Sequence, residues 1–236
     1  MVHPRLGGFT TVLFLAVWRS VISPCPFSIY LAGATGVGKS ELAALAQQFF
    51  GPEPDAKNLP GSFLSTANAL EGQAFALKDA LFVVDDFAPP GSAQDMRRKF
   101  SDLDRLLRAQ GNQAGRARMR ADASLRRQKQ PRCTIIITGE DLPETHSIRA
   151  RALILEIDQG MVDFARLGHL QRVAADGLFA MALAGYLQWL APKLNRVREE
   201  MPSTVARYSD DAAQPGQHPR TPEAIAHLAF GLEQFL

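Results

Sequence analysis

Cysteine is scarce in this sequence. The 236-residue chain has two, Cys25 and Cys133, and they lie too far apart for the ligand spacing of a metal site. This scarcity excludes a disulfide-stapled scaffold and a cysteine-ligated zinc site, and it is typical of a reducing compartment. We therefore expect a cytoplasmic protein.

Long apolar runs are lacking as well. The apolar segment from Phe9 to Trp18 falls short of the about 20 residues that a bilayer span needs, so we expect no membrane segment. The segment follows Arg5 and in this respect imitates a signal peptide, but Ser23-Pro24-Cys25-Pro26 is a poor cleavage site. Two interpretations stay open: a buried helix or strand, and a targeting role.

The chain has little net charge, but its charge is unevenly distributed. The formal net charge is +2, whereas the segment from Arg97 to Arg132 holds twelve Lys or Arg against three Asp and carries +9. The remainder of the chain therefore carries −7. A basic segment on an acidic body points to a polyanionic partner.

Periodicity and turn residues divide the chain into three parts: an N-terminal helical or linker segment (1–26), an α/β core (27–158) and a helical C-terminal portion (159–236). Short apolar runs predict buried strands, and apolar residues at helical spacing predict helices. The strands are predicted at 27–32, 81–84, 134–138 and 151–157. The helices are predicted at 41–50, from 65 onward, 93–109, 162–190, 193–201, and from Thr221 to the last residue. Gly177 and Gly185 are predicted to interrupt the helix at 162–190, and 208–220 is predicted to be a mobile loop.

A glycine-rich motif joins the first predicted strand to the first predicted core helix. Its residues are Gly33, Ala34, Thr35, Gly36, Val37, Gly38, Lys39 and Ser40. Such a loop surrounds nucleotide phosphates with backbone N–H groups at a helix N-terminus, while the lysine reaches the β- and γ-phosphates and the serine hydroxyl binds Mg²⁺. A chance glycine-rich turn is the alternative, but the strand before it and the helix after it favour binding of ATP and Mg²⁺.

Two acids follow the strand at 81–84. We interpret Asp85 as the metal residue and Asp86 as the residue that polarises the attacking water. A helix N-cap or a solvated turn is the simpler interpretation of paired acids after a strand.

Polar residues near the ends of the later strands extend the predicted site. Thr138 ends its strand, where its hydroxyl would contact the γ-phosphate or the attacking water. The alternative is a hydroxyl that only satisfies local backbone groups. Glu140 is a competing acid at the same edge. Arg149 and Arg151 flank Ala150 at the start of the last strand. From there, either would stabilise transition-state charge on a neighbouring subunit's nucleotide or form a surface salt bridge.

The basic segment has the pattern of a strand or hairpin. Alternating arginines are followed by a second basic cluster, and such a hairpin could line a central channel and contact nucleic-acid phosphates. A solvated basic loop is the alternative. The residues that we predict to contact nucleic acid are Arg116, Arg118, Arg120, Arg126, Arg127 and Lys129.

These motifs, in this order, resemble the AAA+ helicase-like ATPases of phage and plasmid replication, of the superfamily-three and poxvirus-primase type. More specific strings resemble the domain of unknown function 927 of mobile-element primase-helicases, over roughly residues 29–189. The strings begin at Gly33 (GATGVGKSELAAL), Ser65 (STANALE), Val84 (VDDFAP), Arg105 (RLLRAQGN), Thr138 (TGED) and Ser147 (SIRAR).

This resemblance implies an AAA+-like P-loop NTPase with a central parallel sheet, flanking helices and a helical C-terminal portion. It also implies a DNA-dependent ATPase that assembles as a homo-oligomeric ring, as in a hexamer, with Thr138 as sensor and Arg149 or Arg151 as the trans-acting finger. A helicase motor for single- or double-stranded DNA in mobile-element replication is the resulting expectation. A small-molecule phosphotransferase and a non-catalytic, nucleotide-gated binding module are the alternatives.

Overall fold

The computed structural model describes residues 8–87, 92–115, 117–119, 122–126, 128–142 and 146–236. Its helices are α1 (Gly8–Ser20), α2 (Lys39–Gln47), α3 (Ala67–Ala76), α4 (Ala93–Gly111), α5 (His146–Arg149), α6 (Phe164–Ala175), α7 (Leu178–Leu190), α8 (Leu194–Ala212) and α9 (Arg220–Phe235). Its strands are β1 (Ser28–Ala32), β2 (Gly61–Ser62), β3 (Leu81–Phe87), β4 (Arg118–Met119), β5 (Leu125–Arg126), β6 (Thr134–Gly139) and β7 (Ala152–Glu156).

Five of the strands form one parallel sheet in the order β2-β3-β6-β1-β7. Strand β6 therefore lies between β3 and β1, although it follows both of them in the chain. Because all five strands run in the same direction, their carboxyl ends meet at one edge of the sheet. The loop after β1, the acids at the end of β3 and Thr138 in β6 are thus placed at that edge.

Each face of the sheet is covered by its own apolar core. Alternate residues of a strand point to opposite faces, and β1 divides accordingly: Ile29 and Leu31 belong to one core, and Tyr30 and Ala32 to the other. The first core packs against α1, α2 and the C-terminal helices, and the second packs against α3 and α4. Burial on both faces explains why the strands are continuous apolar runs.

Helix α1 covers the residues of the apolar N-terminal segment and packs against α9 at the other end of the chain. The rings of Trp18 and Phe235 stack with their centroids 4.0 Å apart. Arg19 is fully buried; its guanidinium donates to the Ser23 carbonyl at 2.8 Å and to Nδ1 of His227. This contact requires a neutral imidazole, because Nδ1 must offer a lone pair.

Several predicted boundaries differ from the observed ones. The predicted mobile loop at 208–220 is wrong over its first part, because α8 continues to Ala212 and Tyr208 donates from its hydroxyl to Glu233 of α9 at 3.0 Å. Gly177, with φ of 82°, separates α6 from α7, whereas Gly185 lies inside α7 and does not interrupt it. Strand β3 runs on through both acids to Phe87.

No single helix within the described ranges is both long enough and apolar enough to cross a membrane. By length and composition alone, the segments 164–175 and 178–212 pass together as a pair bent by 61°.

Candidate nucleotide site

The loop from Gly33 to Ser40 curls over the carboxyl end of β1 and leads directly into α2. Gly36 and Gly38 have φ of 84° and 94°, which glycine adopts without strain. Gly33 is required for a different reason: a Cβ atom at this position would lie 2.3 Å from the Ile157 carbonyl oxygen. The glycines thus allow the loop to turn sharply and to approach the neighbouring segment closely.

Lys39 begins α2 and folds back over the loop. Its ammonium donates to the carbonyls of Gly33 and Ala34, both at 2.7 Å, and 9% of the residue is exposed. The cationic group therefore sits at the helix N-terminus, where the helix dipole already favours anions.

Asp85 links the loop helix to the sheet. One of its carboxylate oxygens, Oδ1, accepts from the Ser40 hydroxyl at 2.7 Å and from the Thr138 hydroxyl at 2.5 Å. These residues come from α2, β3 and β6, so their meeting depends on the strand order. Hydroxyl and carboxylate oxygens are the ligand types that Mg²⁺ prefers, and Ser40 and Asp85 fit such an ion.

Asp86 stands in a bulge of β3. The pairing with β6 shifts between Val84 and Phe87, and Asp86 has φ of 61°, in the left-handed region that non-glycine residues rarely adopt. Its backbone N–H donates to the Thr138 hydroxyl at 3.1 Å, and its side chain is exposed. Thr138 therefore holds both acids: its hydroxyl donates to the Asp85 carboxylate and accepts from the Asp86 backbone.

The turn after β6 also contacts the glycine-rich loop. Glu140 accepts a hydrogen bond from the Thr35 hydroxyl, and the Gly139 carbonyl accepts from the Gly33 N–H at 3.2 Å. Below the turn, the Tyr30 hydroxyl donates to the Asp141 carbonyl at 2.5 Å; burial, together with the Asp141 charge, raises the pKa of Tyr30. The sequence predicts Glu140 only as a competing acid, and it gives no signal for Tyr30, which lies in an apolar strand.

Arg149 and Arg151 lie far from this loop. Arg151 directly precedes β7, and the first residue of β7 pairs with Ser28 at the start of β1. The loop follows Ala32 at the other end of β1, about 13 Å further along the strand. Burial, followed by the charges of Arg220 and Arg108, lowers the pKa of Arg151. The Arg149 side chain is exposed.

The basic segment contains a short antiparallel hairpin, in which Arg118 pairs with Arg126 and Met119 with Leu125. Met119 and Leu125 are 64% and 70% exposed, so the hairpin projects from the body. Lys129 is exposed, and its ammonium lies near Gly72 of α3. The predicted contacts Arg116, Arg120 and Arg127 lie outside the described residues.

No family model matches the chain, and no curated protein matches it. The resemblance to the domain of unknown function 927 is therefore not confirmed. Among solved structures, the chain is similar to "SCCmec type IV Cch - active helicase", with a TM-score of 0.61 and 19% identity over 95% of this chain. This chain matches 43% of that chain's length.

Two structures of JCV helicase are more distant. One has a TM-score of 0.41 and 14% identity over 96% of this chain. The other has a TM-score of 0.38 and 16% identity over 92% of this chain. In both, the match covers 66% of the helicase chain. The first similarity, the parallel sheet order and the loop geometry together show that this chain has an α/β P-loop NTPase fold.

Proposed function

We propose that this chain binds ATP with Mg²⁺ and hydrolyses it as the motor of a helicase-like assembly. The observation that carries the proposal is that the Ser40 and Thr138 hydroxyls both donate to one carboxylate oxygen of Asp85 beside the glycine-rich loop. A phosphate-binding turn with a lysine and a hydroxyl–carboxylate pair at its base is the arrangement that a metal-bound triphosphate needs.

In this proposal the backbone N–H groups of residues 33–40 and the Lys39 ammonium bind the phosphates. Ser40 and Asp85 would hold Mg²⁺, which neutralises phosphate charge when it is bound. Asp86 orients the attacking water and accepts its proton, since its exposed carboxylate stands at the same edge as Asp85. Thr138 acts as a positioning residue, because its hydroxyl fixes both acids.

We propose that Arg149 completes the site of a neighbouring subunit in a homo-oligomeric ring, such as a hexamer. The distance of β7's start from the loop of its own subunit supports a role in trans. Arg149 is favoured over Arg151 because Arg149 is exposed, whereas Arg151 packs beside Gly111 and Arg220.

DNA, single- or double-stranded, is the proposed partner of the basic hairpin. Its projection from the body and the +9 charge of the segment around it support phosphate contacts that are independent of base sequence. A role in mobile-element replication is part of the same proposal; it rests on the motif resemblance described above.

The test is ATP turnover by the purified protein with and without single-stranded DNA, at 50 mM and 200 mM salt. We expect DNA to stimulate turnover, and the stimulation to fade at the higher salt because counterion release weakens phosphate contacts. Equal ATP turnover with and without DNA would contradict the part of the proposal that concerns DNA.

The control is Lys39→Ala, which should abolish turnover. Turnover that persists in this variant would overturn the assignment of the site. Transfer of phosphate to a small molecule, with no release of free phosphate, would instead support the phosphotransferase alternative.

A further inference from the structure

The turn that follows β6 is fixed against its neighbours by its backbone. The Gly139 carbonyl accepts from the Gly33 N–H at 3.2 Å, and the Glu140 N–H donates to the Phe87 carbonyl at 3.3 Å. A Cβ atom at Gly139 would overlap the Tyr30 hydroxyl oxygen, so glycine lets the turn lie this close to β1. The turn therefore places the Glu140 side chain at a defined position beside the phosphate loop.

The Glu140 carboxylate contacts the phosphate loop directly. It accepts a hydrogen bond from the Thr35 hydroxyl, and both residues are exposed, so a ligand at the loop can reach them. Like charges at such short range repel each other strongly, even where solvent weakens the interaction. A carboxylate on an anion-binding loop is therefore unfavourable for any phosphate group that lies next to it.

The position of Thr35 along the loop decides which phosphate group this is. In loops of this type the lysine reaches the β- and γ-phosphates. The Lys39 ammonium donates to the Gly33 and Ala34 carbonyls, both at 2.7 Å, and Thr35 is the next residue. Glu140 thus stands at the γ-phosphate end of the loop. A triphosphate would meet its carboxylate there, whereas a diphosphate would end before it.

We propose that Glu140 makes the loop distinguish a nucleoside triphosphate from a diphosphate, because its carboxylate competes with the γ-phosphate for the Thr35 hydroxyl. The inference rests on the proposed function and deepens it. The hydroxyl has a single proton and donates either to Glu140 or to a γ-phosphate oxygen. Triphosphate binding breaks the contact between Thr35 and Glu140 and is weakened by it, while diphosphate binding leaves the contact intact.

The test removes the charge of Glu140 and keeps its shape. Calorimetry measures the binding of Mg-ADP and of the Mg-bound β,γ-imido analogue of ATP, which keeps a γ-phosphate and resists hydrolysis, to the unchanged protein and to Glu140→Gln. The glutamine amide oxygen still accepts a hydrogen bond but carries no charge. Glu199→Gln is the matched control, because Glu199 is an exposed acid on α8.

We expect Glu140→Gln to bind the imido analogue about tenfold more tightly than the unchanged protein does, since the repulsion is lost and a neutral acceptor holds the hydroxyl less strongly. Its affinity for ADP should stay within about twofold, because no phosphate of ADP adjoins residue 140. Glu199→Gln should match the unchanged protein for both nucleotides.

Thr35→Val tests whether the hydroxyl is the shared group. Valine keeps the size of the side chain and cannot donate a hydrogen bond. In this background Glu140→Gln should raise the affinity for the imido analogue by clearly less than about tenfold, because coupled residues are not additive.

Three outcomes would overturn the inference about Glu140 alone. They are an unchanged affinity of Glu140→Gln for the imido analogue, an equal gain for the analogue and ADP, and an equal gain with and without the Thr35 hydroxyl. Failure of the proposed function looks different. In that case the unchanged protein binds neither nucleotide, or Lys39→Ala binds both equally well, and both proposals fall.

Discussion

Thr138 shows how a single side chain organises the candidate site. Its hydroxyl is the only atom of that side chain able to hydrogen bond, and it donates to one acid and accepts from the backbone of the next. A residue that ends an apolar strand is thereby tied to the neighbouring strand. This contact holds the Asp85 carboxylate and the Asp86 backbone to the same side chain.

Thr138→Val should keep the shape of the side chain and remove the hydroxyl. We expect kcat for ATP hydrolysis to fall by about 100-fold, since mispositioned acid–base groups typically forfeit such factors, while KM changes little. Steady-state kinetics measure both, and Thr138→Ser should restore most of the rate. A valine variant within threefold of the unchanged protein would refute the positioning role.

Asp86 combines a proposed chemical role with an unusual backbone conformation. Asp86→Gly and Asp86→Ala both remove the carboxylate, so both should lose turnover. They differ in backbone freedom: at φ of 61° the alanine is strained and the glycine is not. We expect the glycine variant to exceed the alanine variant in free energy of unfolding by about 1 kcal/mol, measured by urea denaturation. Equal stability would argue against the observed bulge.

At the scale of elements, the packing of α1 on α9 depends on one glycine. A Cβ atom at Gly231 would lie 2.7 Å from the Arg19 Cβ and 2.9 Å from its Cα, so the helices would have to separate. We expect Gly231→Ala to lower the free energy of unfolding by about 1–3 kcal/mol. Urea denaturation measures the change.

Gly185 provides the matched control for this substitution. It lies inside α7, and a Cβ atom there would meet nothing within 4 Å. Gly185→Ala should therefore stabilise the protein by about 0.5–1 kcal/mol, through helix propensity alone. Destabilisation by both substitutions to a similar degree would show that the close approach at Gly231 is not decisive.

The buried pair of Arg19 and His227 should make stability depend on pH. Burial, followed by the Arg19 charge, lowers the pKa of His227 to about 3, below the value of about 6.5 for a free histidine. Between about pH 3 and pH 6.5, the unfolded state therefore binds more protons at this histidine than the folded state does. The contribution of His227 to the free energy of unfolding is fully present above about pH 6.5 and is lost as pH falls toward about 3. The expected slope is at most about 1.4 kcal/mol per pH unit.

Urea denaturation between pH 7.5 and 4.5 measures this slope. His227→Gln is the comparison, because its amide oxygen accepts from Arg19 and cannot titrate in this range. The glutamine variant should show a shallower dependence on pH over this range. Identical slopes would assign the acid sensitivity to other groups.

At the scale of the whole molecule, the proposed ring makes a prediction about mixed subunits. Arg149→Ala should bind ATP normally and hydrolyse it slowly, because it lacks the group that serves its neighbour. Mixed with Lys39→Ala, which has an intact Arg149, it should regain turnover: the loop of one subunit then works with the arginine of the other. Phosphate release measures the recovery.

Mixing Lys39→Ala with Asp85→Asn should recover nothing, since every subunit then has a damaged loop or metal position. If the Arg149→Ala mixture also recovers nothing, Arg149 does not act in trans.

Much of the fold could be predicted because its signals are local. Continuous apolar runs indicated the four long strands of the sheet, and Gly33 to Ser40 indicated the strand–loop–helix unit. Strand β2, with two residues, was missed because so short a segment has no period. The continuation of α8 past Tyr208 was missed because polar residues there pack against α9 rather than face a loop.

The sequence by itself determined the loop chemistry, since the glycines, the lysine and the serine are neighbours in the chain and their spacing sets the turn. Only the tertiary structure decided that Asp85, Thr138 and Glu140 reach this loop, because parallel strands bring distant residues together solely through their order in the sheet. The same holds for the contact of α1 with α9. These helices lie at opposite ends of the chain, and no local pattern encodes the packing of one helix on another.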